Sequence, residues 1–124
     1  TTGQGPSSAG TDLVYTAITA TLTTGTWLVF GQATIVGGGA LDGNQLSLYN
    51  NTAGADIANS ESPVGVGDAT GEHINFSTFA VVTVTGASMD VRLKARRNGG
   101  STVSFGYGGG TLTNEQRITA VRIA

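Results

Sequence analysis

The chain has 124 residues, a formal net charge of −2 and no cysteine, so one domain can bury a core unaided, and neither a disulfide framework nor a thiolate metal site can form. Only 11% of the residues are charged and 20 are glycine, against about 25% charged in an ordinary domain, which predicts a surface of Thr, Ser, Asn and Gly. Six basic against eight acidic residues argue against a nucleic-acid binder, and no apolar run approaches the ~18 residues of a membrane-spanning helix.

In chain order, Thr1 to Gly10 is Gly, Ser, Gln and Pro, which predicts a flexible arm, with residues 11–124 forming the domain. The arm lacks the basic-then-apolar layout of a secretory signal, and the chain reads as soluble. Eight short runs rich in Val, Ile, Thr and aromatics follow, each closed by Gly, Asn or Pro, as strands are. They span Leu13 to Leu22, Thr26 to Val36, Gln45 to Tyr49, Asp56 to Ser60, His73 to Thr85, Ser88 to Arg97, Thr102 to Tyr107 and Gln116 to Ala124. Asn50-Asn51-Thr52-Ala53-Gly54 and Asn98-Gly99-Gly100 carry hairpin chemistry. Gly37-Gly38-Gly39 and Gly108-Gly109-Gly110 read as loops, and only Thr113 to Gln116 could form a helical turn. The last run reaches the final residue, so the chain end is expected to be tied into the sheet.

Eight strands in about 110 residues predict an all-β, two-sheet jelly-roll sandwich. Several strands are apolar on both faces. Trp27 and Val29 alternate with Leu28 and Phe30, and Phe79 and Val81 alternate with Ala80, Val82 and Val84. One face of a sandwich sheet meets the core, so the second apolar face needs a cover. Another copy of the chain is the economical one, and loops of the same chain are the alternative.

Few residues suggest catalysis. His73 is the only histidine and opens a strand beside Glu72, which favours an exposed strand end over a triad or metal ligand. No nucleophile elbow occurs, and Gly65-Val66-Gly67-Asp68-Ala69-Thr70-Gly71 lacks the spacing and following helix of a phosphate loop. Glu61 and Glu72 form no recognisable acid–base pair, and Asp42-Gly43-Asn44 reads as a turn rather than a calcium loop. The expectation is a protein without catalytic residues, metal or cofactor. Arg92, Lys94, Arg96 and Arg97 hold four of the six basic residues. Alternation places Arg92, Lys94 and Arg96 on one strand face, either as a stripe for an acidic protein or anionic glycan, or as a solvated face paired with Asp90 and other acids.

The order of Gly25 to Ile35 (GTWLVFGQATI), Leu46 to Thr52 (LSLYNNT), Ile57 to Ser60 (IANS), Val91 to Ala95 (VRLKA) and the closing Ile118 to Ile123 (ITAVRI) resembles phage virion proteins with a complement- or tumour-necrosis-factor-like jelly roll. The resemblance covers about Thr16 to Ala124. It implies a compact homotrimer without shared catalytic residues, with the last strand near the threefold axis and Trp27, Phe30, Phe79, Val121 and Ile123 at the trimer interface. It further implies a place on the virion, as a capsid decoration protein or a tail-fibre tip.

Thr1-Thr2 is what remains when an initiator Met is removed before a small residue, so the sequence reads as a complete gene product with only a short arm before the domain. That favours a decoration protein on the capsid surface, with the major capsid protein as partner and Thr1, Thr2, Gln4, Pro6, Arg92, Lys94, Arg96 and Arg97 as candidate contacts. The alternative is a receptor-binding tip presenting loops Gly37 to Asn44 and Pro63 to Glu72 to a host-surface glycan. A carbohydrate-binding module would want an exposed aromatic platform, which one Trp and three Tyr barely supply.

Overall fold

Two strands dominate the computed structural model, which describes residues 11–36, 44–64, 73–97, 104–105 and 116–124. β1 (Thr11–Val36) and β5 (His73–Arg97) run antiparallel from Thr11↔Arg97 to Val36↔His73. Between and after them lie β2 (Asn44–Asn50), β3 (Ala55–Asp56), β4 (Ser62–Val64), β6 (Ser104–Phe105) and β7 (Gln116–Arg122), with no helix among the described residues. The strand order is β3-β2-β5-β1-β6, with β4 added on β2 and β7 on β1, all in one antiparallel sheet.

Straight, a strand of 26 residues would extend about 85 Å at ~3.3 Å per residue, several times the ~14 Å radius of gyration of a chain this size. The ladder therefore has to bend. It does so where the register shifts between Thr23↔Ser88 and Gly25↔Val84, setting Thr85 to Ala87 of β5 opposite Thr24 alone. Gly25 takes φ +143°, outside the range of most side chains. Across the corner, the Thr24 hydroxyl donates to the Gly86 carbonyl (2.6 Å) and the Trp27 indole N–H to the Thr23 carbonyl (2.9 Å).

Each side of the corner gains a third strand. β2 pairs with the end of β5, from Asn50↔Val91 to Gln45↔Arg96, and β7 pairs with the end of β1, from Trp27↔Arg122 to Ala33↔Gln116. The two halves face each other, because a Cβ placed on Gly31 in one would lie 2.7 Å from Leu93 Cδ1 and 3.1 Å from Leu48 Cδ2 in the other. The core fills the space between them: Val29, Ala33, Ala80, Val82 and Val84 from one half, and Leu22, Leu46, Leu48, Val91, Leu93 and Ala95 from the other. Ser60 fastens the layers. Its buried hydroxyl accepts the Leu48 N–H (3.0 Å) and donates to the Ile57 carbonyl (2.7 Å), while its carbonyl accepts the Thr78 hydroxyl of the opposite half.

A second irregularity, between Val14↔Lys94 and Thr19↔Arg92, sets Tyr15 to Ile18 of β1 opposite Leu93 alone. It turns Tyr15 into the core, where its side chain is hydrogen-bonded to Gln116 and burial pushes the phenol well above its ordinary pKa.

The all-β expectation holds, but the eight separate strands and two separate sheets do not. Leu13 to Leu22 and Thr26 to Val36 belong to one strand, as do His73 to Thr85 and Ser88 to Arg97, because the corner bends the ladder without ending it. The strand expected over Asp56 to Ser60 stops at Asp56, since Asn59 adopts φ +60° and Ser60 N–H turns back to the Ile57 carbonyl (3.3 Å). β4 was not foreseen. Its Pro63 pairs with Gln45, on an edge strand that tolerates a missing N–H. The hairpin at Asn50 to Gly54 forms, with the Asn50 side chain accepting the Ala53 N–H (3.0 Å), its carbonyl accepting the Gly54 N–H (2.9 Å), and Gly54 at φ +69°. The chain end is tied down as expected: Ile123 N–H donates to the Thr26 carbonyl (2.8 Å) and Thr26 N–H to the Ala124 carbonyl (2.9 Å). The arm Thr1 to Gly10, the Gly-rich loops, the turn at Asn98 to Gly100 and residues 113–115 lie outside the described residues, and of Thr102 to Tyr107 only 104–105 fall within them.

Candidate functional site

Folding the sheet over itself leaves two outer faces, one on each side of the core. On the β5–β1–β7 half, Val29, Ala33, Ala80 and Val82 point inward, so Leu28, Phe30, Phe79 and Val81 point outward, joined by Val121 of β7. The register sets Leu28 between Val81 and Val121, and Phe30 opposite Phe79. The two phenyl rings are tilted 36° with centroids 6.2 Å apart, a favourable aromatic contact. Phe79 is 62% exposed, Val81 61%, Val121 51% and Ile123 54%. Three strands by six residues make a face of roughly 300 Å², about two thirds of it apolar because Thr26, Thr83 and Thr119 share it, and an exposed apolar patch of that kind is often functional. Arg117 borders it and donates to the Gln32 side chain. Trp27 stands apart, half-buried and packed against the core.

The outer face of the β1–β5–β2 half is polar and carries the basic stripe. Val91, Leu93 and Ala95 are in the core, so Arg92, Lys94 and Arg96 face away from it. Lys94 is nonetheless only 7% exposed. Its ammonium lies 2.5 Å from Asp56 Oδ1, 3.5 Å from Asp12 Oδ2 and 5.7 Å from the Tyr49 ring centroid. Arg96 Nη1 lies 3.5 Å from Asp12 Oδ1, and Asp12 is its register partner on β1. Asp90 accepts the Thr21 hydroxyl at 2.7 Å. Arg92 is half-buried, and its Nε is shut off from solvent without a hydrogen-bond acceptor.

Of the two readings of the stripe, the paired one describes Lys94 and Arg96, and Arg92 is left over. Asp12 and Asp56 were not singled out beforehand, and only the strand register could have revealed them, since they lie far from residues 92–96 in sequence. Arg97 pairs with Thr11 in register, while Thr1, Thr2, Gln4 and Pro6 lie outside the described residues. His73 is the first residue of β5 and Glu61 is exposed, whereas Glu72, Asp42 and Gly43 and most of the two candidate receptor loops lie outside. Among the described residues, no three His, Asp or Glu side chains gather where they could hold a metal ion, and no helix is long and apolar enough to cross a membrane. No protein-family model matches the chain, and no curated protein matches it in sequence.

Proposed function

We propose that this chain is a non-enzymatic structural protein that assembles as a homotrimer of jelly-roll subunits through its β5–β1–β7 face, and that it serves on a phage virion as a capsid decoration protein. The observation that carries the reading is the exposed apolar patch of Phe30, Phe79, Val81 and Val121. At ~25 cal/mol per Å², covering about 200 Å² of apolar surface on each subunit contributes ~5 kcal/mol per subunit before the costs of association. A stable interface buries about 800 Å² per partner, so the patch would form its apolar centre, with Arg117, Gln32 and the chain end at Ile123 in the rim. The bent ladder, with a third strand added to opposite ends of β1 and β5, supports the jelly-roll assignment. The sequence resemblance to virion jelly rolls supports the biological setting.

Decoration would add buried area where neighbouring capsid subunits meet, with the arm Thr1 to Gly10 ordering on binding at ~1–2 kcal/mol per residue. Two measurements test this. Light scattering on the intact chain should give a trimer, and Val81→Glu, which places a charge in the patch, should give a monomer with an unchanged far-UV spectrum; a wild-type monomer at micromolar concentration refutes the assembly. The wild-type trimer should then bind purified capsids that lack it, and lose that binding when Thr1 to Gly10 is removed. Binding to host cells or glycans instead would favour the receptor-binding tip.

A further inference from the structure

We infer that Arg92 is a docking point for a carboxylate of a protein partner, an Asp or Glu side chain seated on the outer face of the β1–β5–β2 half. Among the described residues three cations lie on this face, and two are already answered: Lys94 by Asp56 and Asp12, and Arg96 by Asp12. Arg92 sits between Thr19 and Tyr49 in register, half-buried, with no hydrogen bond or ion pair to a described residue. A guanidinium partly withdrawn from water has lost part of its hydration, so an anion arriving at its terminal nitrogens meets a charge that water screens less than on an exposed arginine. The nearest acid along the strand does not serve. Asp90, two residues away on the same face, is turned to the Thr21 hydroxyl at 2.7 Å. With Nε sealed off, the ligand reaches the two terminal nitrogens, which a carboxylate can bridge with its two oxygens.

Charge narrows the ligand further. Asp12 and Asp56 pair with Lys94 and Arg96 and Asp90 is turned to Thr21, so among the described residues of this face Arg92 is the one cation without an ion pair, and no second free cation stands beside it for a dianion such as phosphate. The aromatic neighbour argues against a sugar acid. A pyranose packs on an open ring face, whereas the Tyr49 ring has the Lys94 ammonium 5.7 Å from its centroid. Arg92 also lies on the side of the core opposite Phe30 and Phe79, so the site stays open whether or not the apolar face is covered. The inference therefore stands independently of the trimer.

The sealed Nε suggests the assay, because an Nε–H shielded from water exchanges slowly enough to give its own nitrogen–proton NMR signal. On the full chain the Arg92 signal is assigned by its loss in Arg92→Lys, and then followed against sodium acetate, acetyl-glutamate amide, inorganic phosphate and glucuronate at constant ionic strength. The expected result is a saturable shift with acetate and acetyl-glutamate amide, at concentrations at least fivefold below those needed with phosphate. The signals of exposed Arg117 and Arg122 should move far less. In Arg92→Lys the response of the neighbouring Tyr49 amide should weaken at least fivefold although the charge is kept, since the fork is gone. Equal movement of all three arginines, a preference for phosphate, or half-saturation by glucuronate at a tenfold lower concentration than acetyl-glutamate amide would each overturn the inference. Repeating the titration on Val81→Glu should give the same curves, so failure of the assembly and failure of this site are read separately.

Discussion

Replacing Gly31 by alanine adds one methyl group at the centre of the molecule, and the sign of its effect depends on whether the sheet folds over itself. The added carbon would lie 2.7 Å from Leu93 Cδ1, 3.1 Å from Leu48 Cδ2 and 3.2 Å from Thr78 Cγ2. Both leucines are fully buried, so neither side chain can swing into solvent. Overpacking of this kind costs ~1–3 kcal/mol. On an open strand the same change would stabilise by ~0.5–1 kcal/mol, because glycine loses more backbone entropy on folding than alanine. Urea unfolding followed by circular dichroism should therefore show a lower midpoint at an unchanged slope. Leu93→Ala alone should cost ~2–5 kcal/mol through the cavity it leaves. In that background Gly31→Ala should become neutral or stabilising, giving a coupling of ~1–3 kcal/mol in a double-mutant cycle. A stabilised Gly31→Ala, or an additive cycle, would refute the face-to-face arrangement.

Tyr15 sets an alkaline limit. Its folded pKa lies above the ordinary value of 10.0 because the phenol is buried, so the unfolded chain ionises first and stability falls as pH rises past about 10. The urea midpoint should drop between pH 9 and 11, and drop less in Tyr15→Phe; equal drops would show that Tyr15 does not govern the loss. Lys94→Met should cost little, because it removes a cation that is nearly enclosed and replaces it with an apolar chain of similar length. Asp56→Asn should destabilise by ~1–3 kcal/mol, below the ~3–5 of a fully buried pair because Asp12 remains. Urea midpoints rank the two, and a costlier Lys94→Met would reverse the reasoning. Ser60→Ala should cost ~1–3 kcal/mol by leaving the Leu48 N–H without its acceptor, and amide exchange at Leu48 should speed up accordingly.

The strand content was legible because Val, Ile and Thr alternate between turn residues, and the Asn50 to Gly54 hairpin because its chemistry is local. The continuity of β1 and β5 was not. Thr24-Gly25 and Gly86-Ala87 look like turns in sequence, and only their pairing across the ladder makes them a corner. The doubly apolar strands correctly announced a second apolar face, but alternation alone did not say that Trp27 faces the core and Phe30 the outside. Which cations of the stripe were answered was also hidden, because Asp12 and Asp56 reach Lys94 only through register.

The pairing of β1 with β5 also sets the order in which the molecule can be built. Thr24 bonds Gly86 across 62 residues of chain, and Thr21 bonds Asp90 across 69. Closing such loops loses entropy before any contact compensates, so folding belongs to the slow, millisecond-to-second regime of non-local β proteins. The ends that are nearest in sequence, Val36 and His73, are the natural place for the ladder to start. It would then zip outward through the corner, and the layer holding Arg92 and Lys94 would close last.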